Sequence, residues 1–174
     1  MKRIPVIVYY LAEDDPKKNT AMRLHKHGKA RLVDKAVNVP RQSLLLNPFA
    51  KKALSREDLP AMKRGLVAVD CSWASAEQAF APLLGQTQSR ALPILWAANP
   101  INWGRPAMLS TAEALGAALF IVGLERQAKD LLSALPFGEE FLKLNEKPLA
   151  DYQAAEDSAG VVAAQDLYLV DEEE

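Results

Sequence analysis

The sequence predicts an α/β protein, with an α/β N-terminal part and a helical C-terminal part packed onto it. Two observations carry this. Over the first hundred residues, runs dense in β-branched and aromatic side chains alternate with segments of helical spacing, whereas beyond residue 109 only helical patterns remain. The composition, 49% hydrophobic and 25% charged over 174 residues, suits a soluble globular chain with a sizeable core and excludes bulk disorder. We place the division near residue 98, giving a basic N-terminal domain of residues 1–98 and a mainly helical domain of residues 99–174.

Residues 4–11 (IPVIVYYL) read as a buried first strand. The stretch is too short for a signal peptide, contains Pro5 and runs into Glu13, Asp14 and Asp15. Residues 14–19 make a polar turn, and Thr20 is the expected N-cap of a short helix through Met22, Leu24 and His25 that Gly28 stops. Residues 31–34 and 43–46 are expected short strands, and Ser55 with Asp58 opens a helix ending at Gly65. An apolar strand over 66–70 closes on Asp70 and precedes a helix over 75–84. Residues 92–98 are expected to form another buried strand, feeding the long loop 99–106. Ser110 and Glu113 form a capping box for a helix that is apolar on every face through Val122, hence central and buried. Leu124, Ala128, Leu131, Leu132 and Leu135 then give an amphipathic helix. Residues 139–168 read as helical with an interruption at Pro148, and 171–174 as a solvated tail.

Several function classes drop out. No apolar run approaches the roughly 20 residues of a membrane span. The single cysteine, Cys71, forbids an intrachain disulfide and fits a reducing cytosol. His25 and His27, set among lysines, leave little material for a metal site or a Ser-His-Asp triad, so no metal is expected. The glycines form neither of the familiar phosphate-binding loops. The net charge of −1 hides an asymmetry: residues 1–64 hold 15 of 21 Lys and Arg but only 6 of 22 Asp and Glu, a net of +9. Two explanations fit: nucleic-acid contact through the basic part, or an intramolecular match between a basic and an acidic lobe.

Three segments stand out. Residues 15–20 with Arg23 combine a turn with cations, and are otherwise a capped turn with solvated lysines. Asp70, Cys71, Ser72 and Trp73 follow a strand terminus, where a helix-capping aspartate beside a core tryptophan is the plainer reading. The 99–106 loop, with Leu109, Ser110 and Thr111 after it, is long and rich in structured residue types. Ligands of open α/β sheets bind beyond the carboxyl ends of the strands, which singles out Asp70 and this loop.

The motifs DPKKNTAMRL (15–24), VDCSW (69–73), RALP with AANPINWGRP (90–106) and LSTAEALGAAL (109–119) together resemble, in order and spacing, the small-subunit rRNA aminocarboxypropyltransferases of archaea and eukaryotes. The resemblance spans residues 4–168. It implies a SPOUT-like fold with a C-terminal trefoil knot, a rarity among chains. It also implies a cytoplasmic monomer with no membrane contact that acts on small-subunit rRNA or the pre-ribosomal small subunit. The implied reaction moves the 3-amino-3-carboxypropyl group of S-adenosylmethionine to the imide nitrogen of a uridine or (methyl)pseudouridine.

Carried across residue by residue, the resemblance makes Thr20 and the Thr111 amide the anchors of the methionine carboxylate. Val69 would meet the ribose through its carbonyl, and Leu92 and Ala107 the adenine edge through their backbones. Leu46, Pro48, Leu109 and Ala114 would line the adenine, and Trp73 and Ala76 the S-methyl pocket. Asp70 would sit near the sulfonium, with a general-base role as a further hypothesis. Lys18, Arg23 and Arg90 match RNA-contacting positions, and Lys17 joins them by charge. The chain departs from the family at Asp14 and Asn19, where cysteines are frequent, at Trp103, where tyrosine is usual, and at Ala107, where an aromatic is common.

The same co-substrate can donate its methyl group instead, and the outcome depends on which carbon lies at attack distance. A buried methyl and an exposed γ-carbon select aminocarboxypropyl transfer. A SPOUT-type RNA methyltransferase and a non-catalytic rRNA-binding assembly factor are the alternatives.

Overall fold

The computed structural model describes residues 3–11 and 19–169. Five parallel strands, β1 (Val6–Tyr10), β2 (Arg31–Val33), β3 (Leu44–Leu46), β4 (Leu66–Asp70) and β5 (Gln88–Arg90), form one sheet in the order β2-β1-β4-β3-β5. Eight helices accompany it: α1 (Thr20–Lys26), α2 (Leu59–Met62), α3 (Ala76–Leu84), α4 (Thr111–Ile121), α5 (Glu125–Leu132), α6 (Gly138–Leu144), α7 (Glu146–Ala154) and α8 (Ser158–Gln165).

Alternation along the strands decides the layers. Ile7 and Tyr9 of β1 join Leu45, Val67 and, from α3, Phe80 and Leu83 in a core on one sheet face. Val6 and Val8 point the other way, into a larger core shared with Leu115 and Leu119 of α4, Leu131 of α5 and Tyr152 of α7. Covered on both faces, the inner strands are continuously apolar, as parallel strands are. The N-terminal and C-terminal parts therefore share one core. α4 is its centre, with every residue from Leu115 to Leu119 buried. An ideal Cβ on Gly116 would lie 2.7 Å from Leu132, so the missing side chain lets α5 lie against α4. No helix among the described residues is long and apolar enough to cross a membrane.

Four sequence expectations need correction. The N-cap of α1 is Asn19, whose side chain accepts from the Met22 amide; Thr20 is the first helical residue. The segment after Ser55 is a 3-10 turn, Arg56–Asp58, followed by the single turn of α2. Pro148 interrupts nothing, because it falls in the first turn of α7, where a missing amide costs no intrahelical bond. The fourth difference is the largest: residues 92–98 are not a sheet strand, and β5 lies just before them.

Side chains of the helical part take the place of a neighbouring strand for residues 92–98. The Ile94 amide donates to Gln165 Oε1 at 2.7 Å, and the Tyr152 hydroxyl donates to the Ile94 carbonyl at 2.8 Å. Asn145, fully buried between α6 and α7, accepts from the Trp96 amide at 2.7 Å and donates to its carbonyl at 2.8 Å. The Ala98 amide donates to Glu113 Oε2 at 2.6 Å. Pro93 has no amide to offer. These side chains, with an antiparallel bridge between Trp96 and Pro106, hold the backbone, so the apolar pattern of a buried strand survives outside the sheet. The polar turn of residues 14–18 and the tail of 171–174 lie outside the described residues.

Candidate active site

The carboxyl ends of β3, β4 and β5 open into a cavity of about 470 Å³, bounded on its far side by the start of α4. That volume lies in the range of sites for drug-sized ligands, roughly 300–1,000 Å³. Leu46 and Pro48 after β3, Val69 and Asp70 of β4, Ala76 of α3 and Leu92 after β5 all line it. Ala107, Leu109, Thr111 and Ala114 close it from the long loop and α4. Ten of the twelve residues the sequence nominates for the co-substrate thus meet in one cavity. Its walls are mostly apolar, and the polar groups of Asp70, Ser72, Ser110 and Thr111 come from the β4 end and the α4 start.

Asp70 ties the elements at that polar end together. Its Oδ2 accepts from Asn19 Nδ2 at 2.6 Å, and its Oδ1 accepts from the Thr111 hydroxyl at 3.1 Å. Thr20 does not line the cavity, but its hydroxyl accepts from the Ala112 amide at 3.2 Å, joining α1 to the first turn of α4. The α4 start is itself fixed. Ser110 Oγ accepts from the Glu113 amide at 3.2 Å, and Glu113 Oε1 accepts from the Ser110 amide at 2.9 Å. Fully buried Glu113 also accepts from Asn99 Nδ2 at 2.7 Å, so the capping carboxylate holds the long loop as well. Loop residues pair back across the chain, with Ala97 N donating to Arg105 O and Ala107 N to Leu95 O, each at 2.9 Å. Ala107 adopts φ 59°, an uncommon conformation for a residue with a Cβ.

Two of the remaining nominees, Arg90 and Arg23, do not line the cavity. The Arg90 guanidinium donates to Asp58 Oδ1 at 3.0 Å, leaving its side chain 17% exposed. Arg23 is exposed and donates through Nε to the Ala134 carbonyl at 2.6 Å. Trp73 opens the 3-10 turn Trp73–Ser75. Its side chain lies outside the described part, as do Lys17 and Lys18.

Among the residues that sequence reasoning missed are Asn19, Asn47, Phe80 and Gln165. Asn19 directly precedes the nominated Thr20, and asparagine caps helices at least as well as threonine. Phe80 lines the cavity from one face of α3. Gln165 reaches it from α8, more than fifty residues beyond the other lining groups, and no local motif signals that. Among the described residues no three His, Cys, Asp or Glu side chains gather as a metal site.

Comparison with known proteins bears on this geometry. The family described as "Ribosome biogenesis protein, C-terminal" matches residues 44–169. A Methanopyrus kandleri protein named 16S rRNA aminocarboxypropyltransferase is 46% identical over 95% of this chain and 99% of its own length. The chain belongs to the small-subunit rRNA aminocarboxypropyltransferase family. A second member, from Methanosarcina acetivorans and named 16S rRNA aminocarboxypropyltransferase, is 41% identical over 95% of both chains. A solved structure, that of the SAM-dependent rRNA:acp-transferase Tsr3 from Vulcanisaeta distributa, superposes with a TM-score of 0.86 at 38% identity. That match covers 97% of this chain and 90% of Tsr3.

Proposed function

We propose that this chain transfers the 3-amino-3-carboxypropyl group of S-adenosylmethionine to a uridine-type imide nitrogen of small-subunit rRNA, releasing methylthioadenosine. Family membership supports the reaction, and the observation that carries it in this chain is the cavity at the strand ends, which gathers an acid, a capped helix start and apolar walls. The walls suit a nucleoside. The Thr111 amide at the start of α4, eleven residues long, suits a carboxylate, because the helix dipole favours an anion there, while the Ala112 and Glu113 amides beside it donate to Thr20 and Ser110. Asp70 beside them suits the sulfonium.

In this reading Thr20 and Thr111 anchor the methionine carboxylate, Val69 meets the ribose, and Leu92 and Ala107 offer backbone to the adenine edge. Leu46, Pro48, Leu109 and Ala114 flank the base, while Ala76 with Trp73 encloses the methyl group. The imide nitrogen attacks the γ-carbon, the γ-carbon–sulfur bond breaks, and the imide proton is lost. Asp70 serves binding first: two donors already occupy its oxygens, which favours positioning over proton abstraction. The basic N-terminal domain of residues 1–98 faces the RNA through Lys17, Lys18, Arg23 and Arg90, and residues 99–174 complete the pocket. We further infer that residues 92–98, bonded by side chains of α4, α7 and α8, belong to a SPOUT-type trefoil knot, and that the protein is a cytoplasmic monomer.

The by-product tests the reaction. Incubation with S-adenosylmethionine and unmodified small-subunit rRNA yields methylthioadenosine on this reading; S-adenosylhomocysteine in its place indicates methyl transfer, and no turnover despite rRNA binding indicates an assembly factor.

A further inference from the structure

One side-chain donor in the cavity wall has no acceptor among the described residues. Gln165, the last residue of α8, lines the cavity together with Leu92, Pro93, Ile94 and Leu95, and the proposed co-substrate contacts make no use of it. Its Oε1 accepts from the Ile94 amide at 2.7 Å. That bond fixes which way round the carboxamide stands, because the reverse orientation would set an N–H against an N–H. Both hydrogens of Nε2 are therefore uncommitted, and the atom is not sealed off by burial. The other side-chain amide in the lining, Asn47, is engaged at both ends: Nδ2 donates to Ser89 Oγ at 3.3 Å, and Oδ1 accepts from the Phe49 amide at 2.9 Å.

The helix that carries Gln165 is held in place. Asp157 caps α8, its Oδ1 accepting from the Gly160 amide at 2.8 Å. Ser158 Oγ accepts from the Ala53 amide at 3.0 Å, and Ala53 in turn bridges to Ala91, another lining residue. Val161 is fully buried. Ile94 is held by a second helix as well, since its carbonyl accepts from the Tyr152 hydroxyl at 2.8 Å. A donor already fixed by its partners loses little further freedom when a ligand arrives.

We propose that Gln165 reads the adenine ring of the co-substrate, with Nε2 donating to one of its ring nitrogens. The inference rests on the proposed reaction, which sets the adenine edge against the backbones of Leu92 and Ala107. Gln165 belongs to the same stretch of wall: its partner Ile94 lies two residues beyond Leu92, and the Ala107 amide donates to the Leu95 carbonyl at 2.9 Å. Adenine has three ring nitrogens not bonded to the ribose, and each accepts a hydrogen bond, so an uncommitted N–H in this wall has a matching group on the base.

The test titrates methylthioadenosine and its 1-deaza, 3-deaza and 7-deaza forms into the wild type and into Gln165→Glu. Each deaza form replaces one ring nitrogen by C–H, and the substitution keeps an oxygen for the Ile94 amide while removing the donor. Gln165→Glu weakens methylthioadenosine binding by about fivefold, the scale of one neutral hydrogen bond. One deaza form binds the wild type weaker by about the same factor, and that penalty disappears in the variant. Penalties due to other donors persist in both proteins. A wild type indifferent to all three deaza forms overturns the proposal, and so does unchanged methylthioadenosine affinity in Gln165→Glu. Equal weakening of all four ligands by Gln165→Glu overturns it too, because it would make Gln165 a prop for Ile94 alone. A wild type that binds neither methylthioadenosine nor S-adenosylmethionine overturns the parent reading, and this inference with it.

Discussion

Asp70 concentrates the chemistry at the scale of single residues. A carboxyl group that accepts hydrogen bonds from Asn19 and Thr111 is fixed in place beside the cavity. Asp70→Asn replaces one acceptor oxygen with a donor facing a donor and removes the charge, so both the geometry and the attraction for a cation suffer. We expect S-adenosylmethionine affinity to fall by at least about tenfold, the effect of losing one charged hydrogen bond of roughly 1.5–3 kcal/mol. Methylthioadenosine is uncharged at sulfur and should lose much less. Calorimetric titration of both ligands separates the two; equal losses would mean that Asp70 is structural and does not attract the sulfonium. The residue types at this end were legible because a strand terminus, a carboxylate and a capping box are local signals. That Asn19 and not Thr20 caps α1 was not, because the two differ by one position and either side chain can cap a helix.

Elements meet where local signals stop. The expectation of a strand over residues 92–98 read the burial correctly and the partner wrongly. Periodicity reports that a segment is apolar and extended, not whether a strand or a set of side chains satisfies its amides. The partners Asn145, Tyr152 and Gln165 lie roughly 50–70 residues downstream in unremarkable helices. Tyr152 gives this arrangement a pH signature. Burial, first, with Tyr168 and Asp151 nearby, holds its hydroxyl well above the ordinary tyrosine value. Burial also pushes Tyr168 up to about 12, helped by its hydrogen bond to Asp151. With folded values above the unfolded value of about 10, this stability is complete below pH 10 and is lost as pH rises through the folded values. The melting temperature should therefore fall between pH 10 and 12, and less steeply in Tyr152→Phe. At neutral pH, Tyr152→Phe strands the Ile94 carbonyl and should cost about 1–3 kcal/mol in urea unfolding. Gly138 is a second sensitive point: an ideal Cβ there would lie 2.0 Å from the Leu132 carbonyl oxygen. Gly138→Ala should destabilise by about 2 kcal/mol or more, because the α5–α6 connection has to move.

Over the whole molecule, the charge asymmetry is in part an intramolecular match. Arg3 and Lys29 reach across to Asp130 of α5 at 2.7 and 3.0 Å, so the basic and acidic parts do meet. Those two partners, Arg3 first, hold the Asp130 carboxyl below its usual value; the small stability this supplies is present above pH 4 and lost on acidification below it. Lys26, Arg41, Lys51 and Arg64 nevertheless remain exposed, which leaves a cationic surface for phosphates. Arg90 tests how far that surface extends. Its pair with Asp58, which is only 4% exposed, means that Arg90→Ala strands a buried carboxylate. We expect it to lower the melting temperature and also to flatten the salt dependence of rRNA binding; an unchanged slope would confine Arg90 to its pair with Asp58. The alternation of strands and helices, the central apolar helix and ten of the residues that line the cavity were legible in the sequence. The order of strands in the sheet and the passage of residues 92–98 between helices were not, since both are set by contacts between distant segments.

The central claim is the group transferred, and a double-label experiment tests it most directly. Two samples of S-adenosylmethionine, one labelled in the carboxyl carbon and one in the S-methyl, are offered with unmodified small-subunit rRNA. The geometry and the family predict carboxyl label alone in the RNA. Methyl label in the RNA would contradict that account, even with the fold and the cavity unchanged.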